Sequence, residues 1–225
     1  MPREALVLER KIVRVMVGNM GTNCYLLADN SEVAIIDPGF EPERVLEEIE
    51  ALRGAVPTPV APWVVKYIIN THGHVDHIGA NARLKQLTGA QILIGRQDAE
   101  HLLDAGKNLS QLLEYPVTSP AADRLLSDGD RVTVGTTILK VMDAPGHTVG
   151  GICLIGDGFA FTGDTLFYAS IGRTDFPGGS EKMILASLKR LVRTLPDDTM
   201  VYPGHEDPGL MREIKRVNPF LSYYR

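Results

Sequence analysis

Two cysteines in 225 residues are too few for a disulfide framework. Cys24 in "TNCYLL" and Cys153 in "GICLIG" each stand inside an apolar, strand-like run, so both are expected as buried, reduced thiols. No block of one charge sign occurs either: 23 Lys and Arg are mixed with 28 Asp and Glu, and the net charge of -5 offers nothing to hold a nucleic-acid backbone. The opening "MPREALVLER" has neither the charge order nor the apolar length of a secretory leader. The apolar stretches that follow are cut by Arg14, Asn19 and Asp29, well short of a membrane span. These absences favour a cytoplasmic protein with a small-molecule partner, no nucleic acid and no membrane, as a monomer or small homo-oligomer. What remains, 44% hydrophobic and 23% charged residues, suits a globular chain with a substantial core.

Three β-rich runs, "KIVRVMVG", "NCYLLAD" and "EVAIID", open the chain as a meander with turns at "NMGT" and "NSE". "PERVLEEIEALRG" has the apolar spacing of an amphipathic helix with Gly54 as its stop. "KYIIN" and "QILIG" read as strands around a helix over "HIGANARLKQLTG", and "QDAEHLLDAG" as a short helix; residues 106–130 read as a surface excursion. Strands return from "RVTVGTTILKVMDAPG" through "GICLIGDGFAFTGD". A helix over "SEKMILASLKRLVRTLP", capped by Ser180, the strand "MVYPGH" and the helix "LMREIKRV" follow. Each half thus runs strands first and then helix-strand units. This predicts an α/β fold, a four-layered αββα sandwich of two mixed sheets with helices outside. No Pro-, Gly- or Ser-rich linker separates the halves, so residues 1–225 are expected as one domain.

Three of the six histidines fall within "THGHVDH", residues 71–77. His72 and His74 lie two apart past a strand end, where extended geometry turns alternate side chains to one side. Asp76 and His77 follow as the chain enters a helix. A lone histidine is more often a hydrogen-bonded residue than a ligand, but H-x-H-x-D-H after a strand gathers donors that suit zinc, and also iron or manganese. His147 in "APGHTVGG", His205 in "YPGH" and Asp164 in "FTGD" occupy further glycine-bearing strand ends. Seven donors suffice for two divalent transition-metal ions, zinc first among them. His72, His74 and His147 would surround one, Asp76, His77 and His205 the other, with Asp164 between them. His101, in "DAEHLLD", has no partner motif and reads as a surface histidine.

The four motifs, in this order and spacing, resemble the ligand motifs of the metallo-β-lactamase superfamily, over nearly the whole chain from "NCYLL" to "NPFL". The resemblance implies the αββα fold, and "AIIDPG" makes Asp37 a structural aspartate beside the metals. Within the superfamily, "FTGDTLFYASIGRTDFPGGS" is most similar to glyoxalase II-like (hydroxyacylglutathione) hydrolases. Asp164 stands where many β-lactamases of the fold have cysteine, which points toward thioesters or other esters. The implied activity is hydrolysis of a thioester such as S-lactoylglutathione by hydroxide drawn from a water shared by the two metals, with Asp76 and Asp164 as catalytic ligands. Arg173 corresponds to a lysine that grips a glutathione carboxylate, or else pairs internally with Asp175. Phe167, Tyr168 and Phe176 are candidates for the pocket wall.

Two features depart from the glyoxalase II pattern: a C-terminal helical domain that supplies glutathione contacts has no counterpart before "NPFLSYYR", and "EDPG" follows His205 where small relatives carry Gly-Pro and a threonine. The thiol carrier is therefore left open. Persulfide dioxygenases share "GRTDF" and bind one iron through residues matching His72, His147 and Asp164, so an oxidoreductase is the alternative. A nuclease is disfavoured by the acidic balance.

Overall fold

The computed structural model describes residues 10–54 and 63–224. The opening "MPREALVLER", expected not to be a leader, lies up to Glu9 outside them.

The first sheet runs β1 (Lys11–Val17), β2 (Thr22–Asp29), β3 (Glu32–Ile36), β4 (Val64–Asn70), β5 (Gln91–Gly95) and β6 (Arg124–Leu126), in sequence order across the sheet. The first three strands pair antiparallel, and β3 to β6 pair parallel. The second sheet holds β7 (Arg131–Val134), β8 (Thr137–Asp143), β9 (Ile152–Ile155), β10 (Phe159–Gly163), β11 (Met200–Pro203) and β12 (Gly209–Leu210) in the order β12-β11-β10-β9-β8-β7. Only the β10–β11 pairing is parallel there.

Strict alternation along the strands explains the layers. Leu27, Ile36 and Ile69 face the second sheet and pack with Leu139, Leu154 and Phe161. Their neighbours Leu26, Ile35 and Ile68 face outward, under Val45 and Ile49 of α1 (Pro42–Gly54) and Leu84 of α3 (Asn81–Thr88). The other outer layer closes with Leu188 and Leu191 of α4 (Glu181–Thr194) and Ile214 of α5 (Met211–Val217), packed on Cys153, Ala160 and Val201. Covering both faces requires apolar residues at every strand position, hence the unbroken runs "LLA" and "AII". Truncating a central residue such as Ile69, fully buried between the sheets, to Ala would cost about 2–5 kcal/mol. The expected four-layered αββα sandwich is what forms.

Two local expectations need correction. The helix expected over 77–89 is two helices, α2 (Val75–Ile78) and α3, because the Ala80 N–H leaves the helical ladder and donates to Pro38 O at 3.0 Å. Residues 96–102 form a 3-10 turn rather than an α-helix. The excursion expected over 106–130 does run over the surface, with 111–116 exposed, and is tied down at Asn108, Ser110 and Ser119, which are buried; Asn108 O accepts the Val75 N–H at 2.9 Å, and β6 lies within the segment. Ser180 caps α4 as expected, accepting the Met183 N–H. Both cysteines are free and buried. Among the described residues, no helix is long and apolar enough to cross a membrane.

Candidate metal centre

Parallel pairing brings the carboxyl ends of β3, β4 and β5 to one edge of the first sheet. β10 and β11 likewise end together in the second sheet, and β8, two strands from β10 through antiparallel steps, ends on the same side. Main-chain hydrogen bonds clip these edges to each other: Asn23 N–H donates to Gly204 O and Ile152 N–H to Thr71 O, both at 2.8 Å. The loops that leave these six strand ends carry Asp37, residues 71–77, Asp98, His147, Asp164 and His205. Loops at the carboxyl ends of strands are where α/β sheets present ligands.

All seven expected donors meet there. Ligand atoms of His72, His74 and His147 lie within 4.8 Å of one another, as do those of Asp76, His77 and His205, and those of His72, His77 and Asp164. Asp164 faces both groups: its carboxylate oxygens stand 3.4 Å from His77 Nε2, 3.5 Å from His147 Nε2 and 3.6 Å from His205 Nε2. Asp76 Oδ2 is 3.4 Å from His77 Nε2 and 3.2 Å from His205 Nε2. These gaps are long for hydrogen bonds but match the edge of a tetrahedron about 3.3–3.4 Å long, set by zinc–nitrogen bonds of about 2.0–2.1 Å. Nε2 of His72 and of His77 and Oδ1 of Asp164 are buried without a hydrogen-bond partner. Buried polar atoms are rarely left so, and a cation among them would satisfy all three.

The surroundings fix which imidazole nitrogen faces the centre. Asp37 accepts the Thr71 N–H and the Thr71 hydroxyl, each at 2.7 Å. With its proton committed, Thr71 Oγ1 accepts from His72 Nδ1 at 3.2 Å and leaves the His72 Nε2 lone pair facing inward. Asp37 Oδ2 also stands 3.2 Å from His77 Nδ1, an ion-pair distance on the side of that ring away from Asp76 and Asp164. His147 Nδ1 donates to Arg173 O at 2.7 Å. Asp37 adopts a left-handed φ of 52°, a conformation aspartate tolerates better than most residues, and so turns its carboxylate back over the site. Gly204 has to be glycine for contact reasons: a Cβ there would lie 2.2 Å from Asp164 Oδ1.

Charge is distributed as a cation requires. Burial, then the neighbouring imidazoles, holds His72 far below the ordinary histidine range and pushes His74 down to about 3, so both keep neutral nitrogens at pH 7. Burial opposes charge on His77 as well, yet Asp76, Asp164 and Asp37 outweigh it and raise that group. Burial would raise Asp76, but His77 and His205 beside it drive it down and keep it ionised. Two carboxylates among five imidazoles attract positive charge.

The remaining expectations divide. Phe167 is buried with its ring 5.8 Å from His205, and Phe176 lies 5.9 Å from His74; both line a cavity of ≈ 480 Å³ above the donors. Tyr168 lies outside that cavity: its ring packs on Gly209, whose hypothetical Cβ would be 2.5 Å away, and borders a separate depression with Arg14 and Asp207. Arg173 lines the cavity but donates twice to Asp175, at 2.7 Å each, and stacks 3.9 Å over Phe176. His101 is not a surface residue; it is buried behind the site, 6.4 Å from the His74 ring, with a Cβ on Gly73 excluded by it at 2.2 Å.

Asp98 was missed by the sequence reading. Its fully buried carboxylate accepts the Gly73 N–H at 3.0 Å, the Thr148 hydroxyl at 2.7 Å and the Gly150 N–H at 2.7 Å. It therefore ties the loop of His72 and His74 to the loop of His147. The available signal was positional: Asp98 follows a strand parallel to the one that delivers "THGHVDH".

A cluster of imidazoles and carboxylates at the strand ends of an αββα sandwich defines a metal-binding class, and comparison with known proteins identifies which. Residues 17–205 match the family model of the metallo-β-lactamase superfamily, and the chain belongs to that superfamily. It is 34% identical over 205 residues to hydroxyacylglutathione hydrolase GloC of Haemophilus influenzae, a match covering 89% of this chain and 92% of that protein. Among solved structures, the BLEG-1 B3 metallo-β-lactamase superposes with a TM-score of 0.85 at 30% identity, covering 94% of this chain and 100% of that one. TTHA1623, solved in a di-iron-bound form, gives 0.79 at 32%, over 93% and 100% of the two chains. ETHE1 from Myxococcus xanthus gives 0.73 at 28%, over 93% and 83%.

Proposed function

We propose that this protein is a binuclear metal-dependent hydrolase of thioesters or related esters, similar to glyoxalase II. The observation that carries the binuclear reading is the Asp164 carboxylate, which faces His77, His147 and His205 from between two groups of three donors. The likeness to GloC carries the thioester reading. His72, His74 and His147 would hold one ion, Asp76, His77 and His205 the other, and Asp164 would touch both. When bound, such ions lower the pKa of a shared water to about 7 and polarise a carbonyl oxygen. The protein's own contribution is orientation: Thr71, itself held by Asp37, sets the tautomer of His72, and Arg173 O sets that of His147. Asp76, which also accepts the Thr22 hydroxyl at 3.1 Å, is positioned to orient the attacking water. No serine or cysteine nucleophile is needed.

Metal analysis of protein purified without added metal, followed by assays on a thioester panel that includes S-lactoylglutathione and on a β-lactam, tests this reading. Hydrolysis of thioesters with about two ions bound supports it. Oxygen uptake with glutathione persulfide, one iron per chain and no hydrolysis would replace it with the persulfide dioxygenase alternative, whose ligands His72, His147 and Asp164 are contained in this set.

A further inference from the structure

The cavity over the donors has an apolar wall that no step of hydrolysis uses. Met20, Leu109, Leu112, Leu113, Phe167 and Phe176 form it, and its volume of ≈ 480 Å³ falls in the range of small-molecule sites. Leu112 is 72% exposed and Leu113 37%, at the tip of a loop anchored through Asn108 and Ser110. Exposed leucines on a loop that the protein holds in place beside its reactive centre have a purpose when a ligand covers them. The charge balance points the same way. Among the described residues lining the cavity, Arg173 is the one permanent cation, and Asp175 already occupies its Nε–Nη2 edge and neutralises its charge while Phe176 supports its face. Lys107, at the neighbouring rim, is paired with Glu100. A thiol carrier with two carboxylates, such as glutathione, would meet on this wall a single cation whose charge Asp175 already neutralises, and a lactoyl group is too small and polar to cover it.

We infer that the substrates of this site are thioesters of bulky, uncharged apolar acyl groups, with the acyl chain on the leucine and phenylalanine wall and the polar thiol portion left in solvent at the rim. The inference rests on the hydrolase reading for the scissile bond, but the preference of the wall is measurable without turnover. Each methylene removed from water strengthens binding about four-fold at most.

The test is calorimetric binding of thioethers to the metal-loaded protein: S-methyl- and S-hexyl-N-acetylcysteamine, and S-methyl- and S-hexylglutathione. Hydrolysis of acetyl and hexanoyl thioesters on both carriers is measured in parallel. The expected result is at least ten-fold tighter binding of hexyl over methyl on either carrier, no gain from glutathione itself, and a hexyl-to-methyl ratio reduced several-fold by Leu112→Asn. A ratio near one, or binding that depends on the glutathione moiety, overturns the inference. Apolar preference without turnover would sink the hydrolase reading and leave the wall's selectivity standing; turnover without preference would do the opposite.

Discussion

Replacing Asp98 separates a role in folding from a role in metal binding, because two buried aspartates of this protein do similar structural work at opposite ends. Asp98→Ala strands the Gly73 N–H, the Gly150 N–H and the Thr148 hydroxyl in the interior. Each unsatisfied group costs about 1–3 kcal/mol, so a loss of about 3–5 kcal/mol in stability follows if the loops relax in part. Asp29 accepts the N–H and hydroxyl groups of Thr136 and Thr137 at 2.7–2.9 Å, and its loss is of similar size. It lies at the far end of β2, about 24 Å along the strand from Thr22, which touches Asp76. Asp98 joins the loops that present His72, His74 and His147, whereas Asp29 joins only the two sheets. Thermal unfolding of the metal-free proteins should therefore show comparable losses for Asp98→Ala and Asp29→Ala. Competition with a chromophoric chelator should show metal affinity lowered 10- to 100-fold for the first and near wild type for the second. Equal metal affinity in the two variants, at matched stability, would mean Asp98 is no more than a structural buttress.

Three further outcomes are expected. Asp164→Ala should lower the bound metal from about two ions per chain and abolish hydrolysis; retention of two ions by elemental analysis would contradict its shared position. The Asp29 carboxyl is held below the ordinary range, because hydrogen bonds from Thr136 and Thr137 together outweigh the opposing effect of burial. A carboxyl whose folded value is depressed gives stability that is present above its unfolded value of about 3.9 and is lost as pH falls through the folded one. Below about pH 4 the melting temperature of wild type should thus drop more steeply than that of Asp29→Asn, and parallel pH profiles would refute the assignment. Burial raises both thiols, Cys153 to about 12, so native protein at pH 8 should resist a thiol reagent that labels both cysteines after denaturation.

What the sequence could disclose, and what it could not, follows from the range of the interactions involved. Strand pattern and the fold were legible because alternation and glycine turns are local, and the two-face burial of "LLA" and "AII" shows directly as unbroken apolar runs. The seven donors were legible because each sits at a strand end marked by its own glycine or by the dense "THGHVDH". Asp98, His101 and Tyr168 were not, since their environments are set by which strands become neighbours: β5 next to β4 places Asp98 under Gly73, and β12 next to β11 brings Gly209 under Tyr168. The break between α2 and α3 belongs to the same class, as it depends on a carbonyl 42 residues' worth of fold away in register, Pro38 O, and not on helix propensity. Arg173 is the instructive middle case. Its motif allowed two partners, a substrate carboxylate or Asp175, and nothing local favours either. The structure shows it spent on Asp175 and stacked on Phe176, which lowers the carboxyl of Asp175 to about 2. A substrate carboxylate would have to share the guanidinium with that internal partner, like charge beside like charge, whereas an apolar acyl group would meet Phe176 and the leucines with the pair left undisturbed.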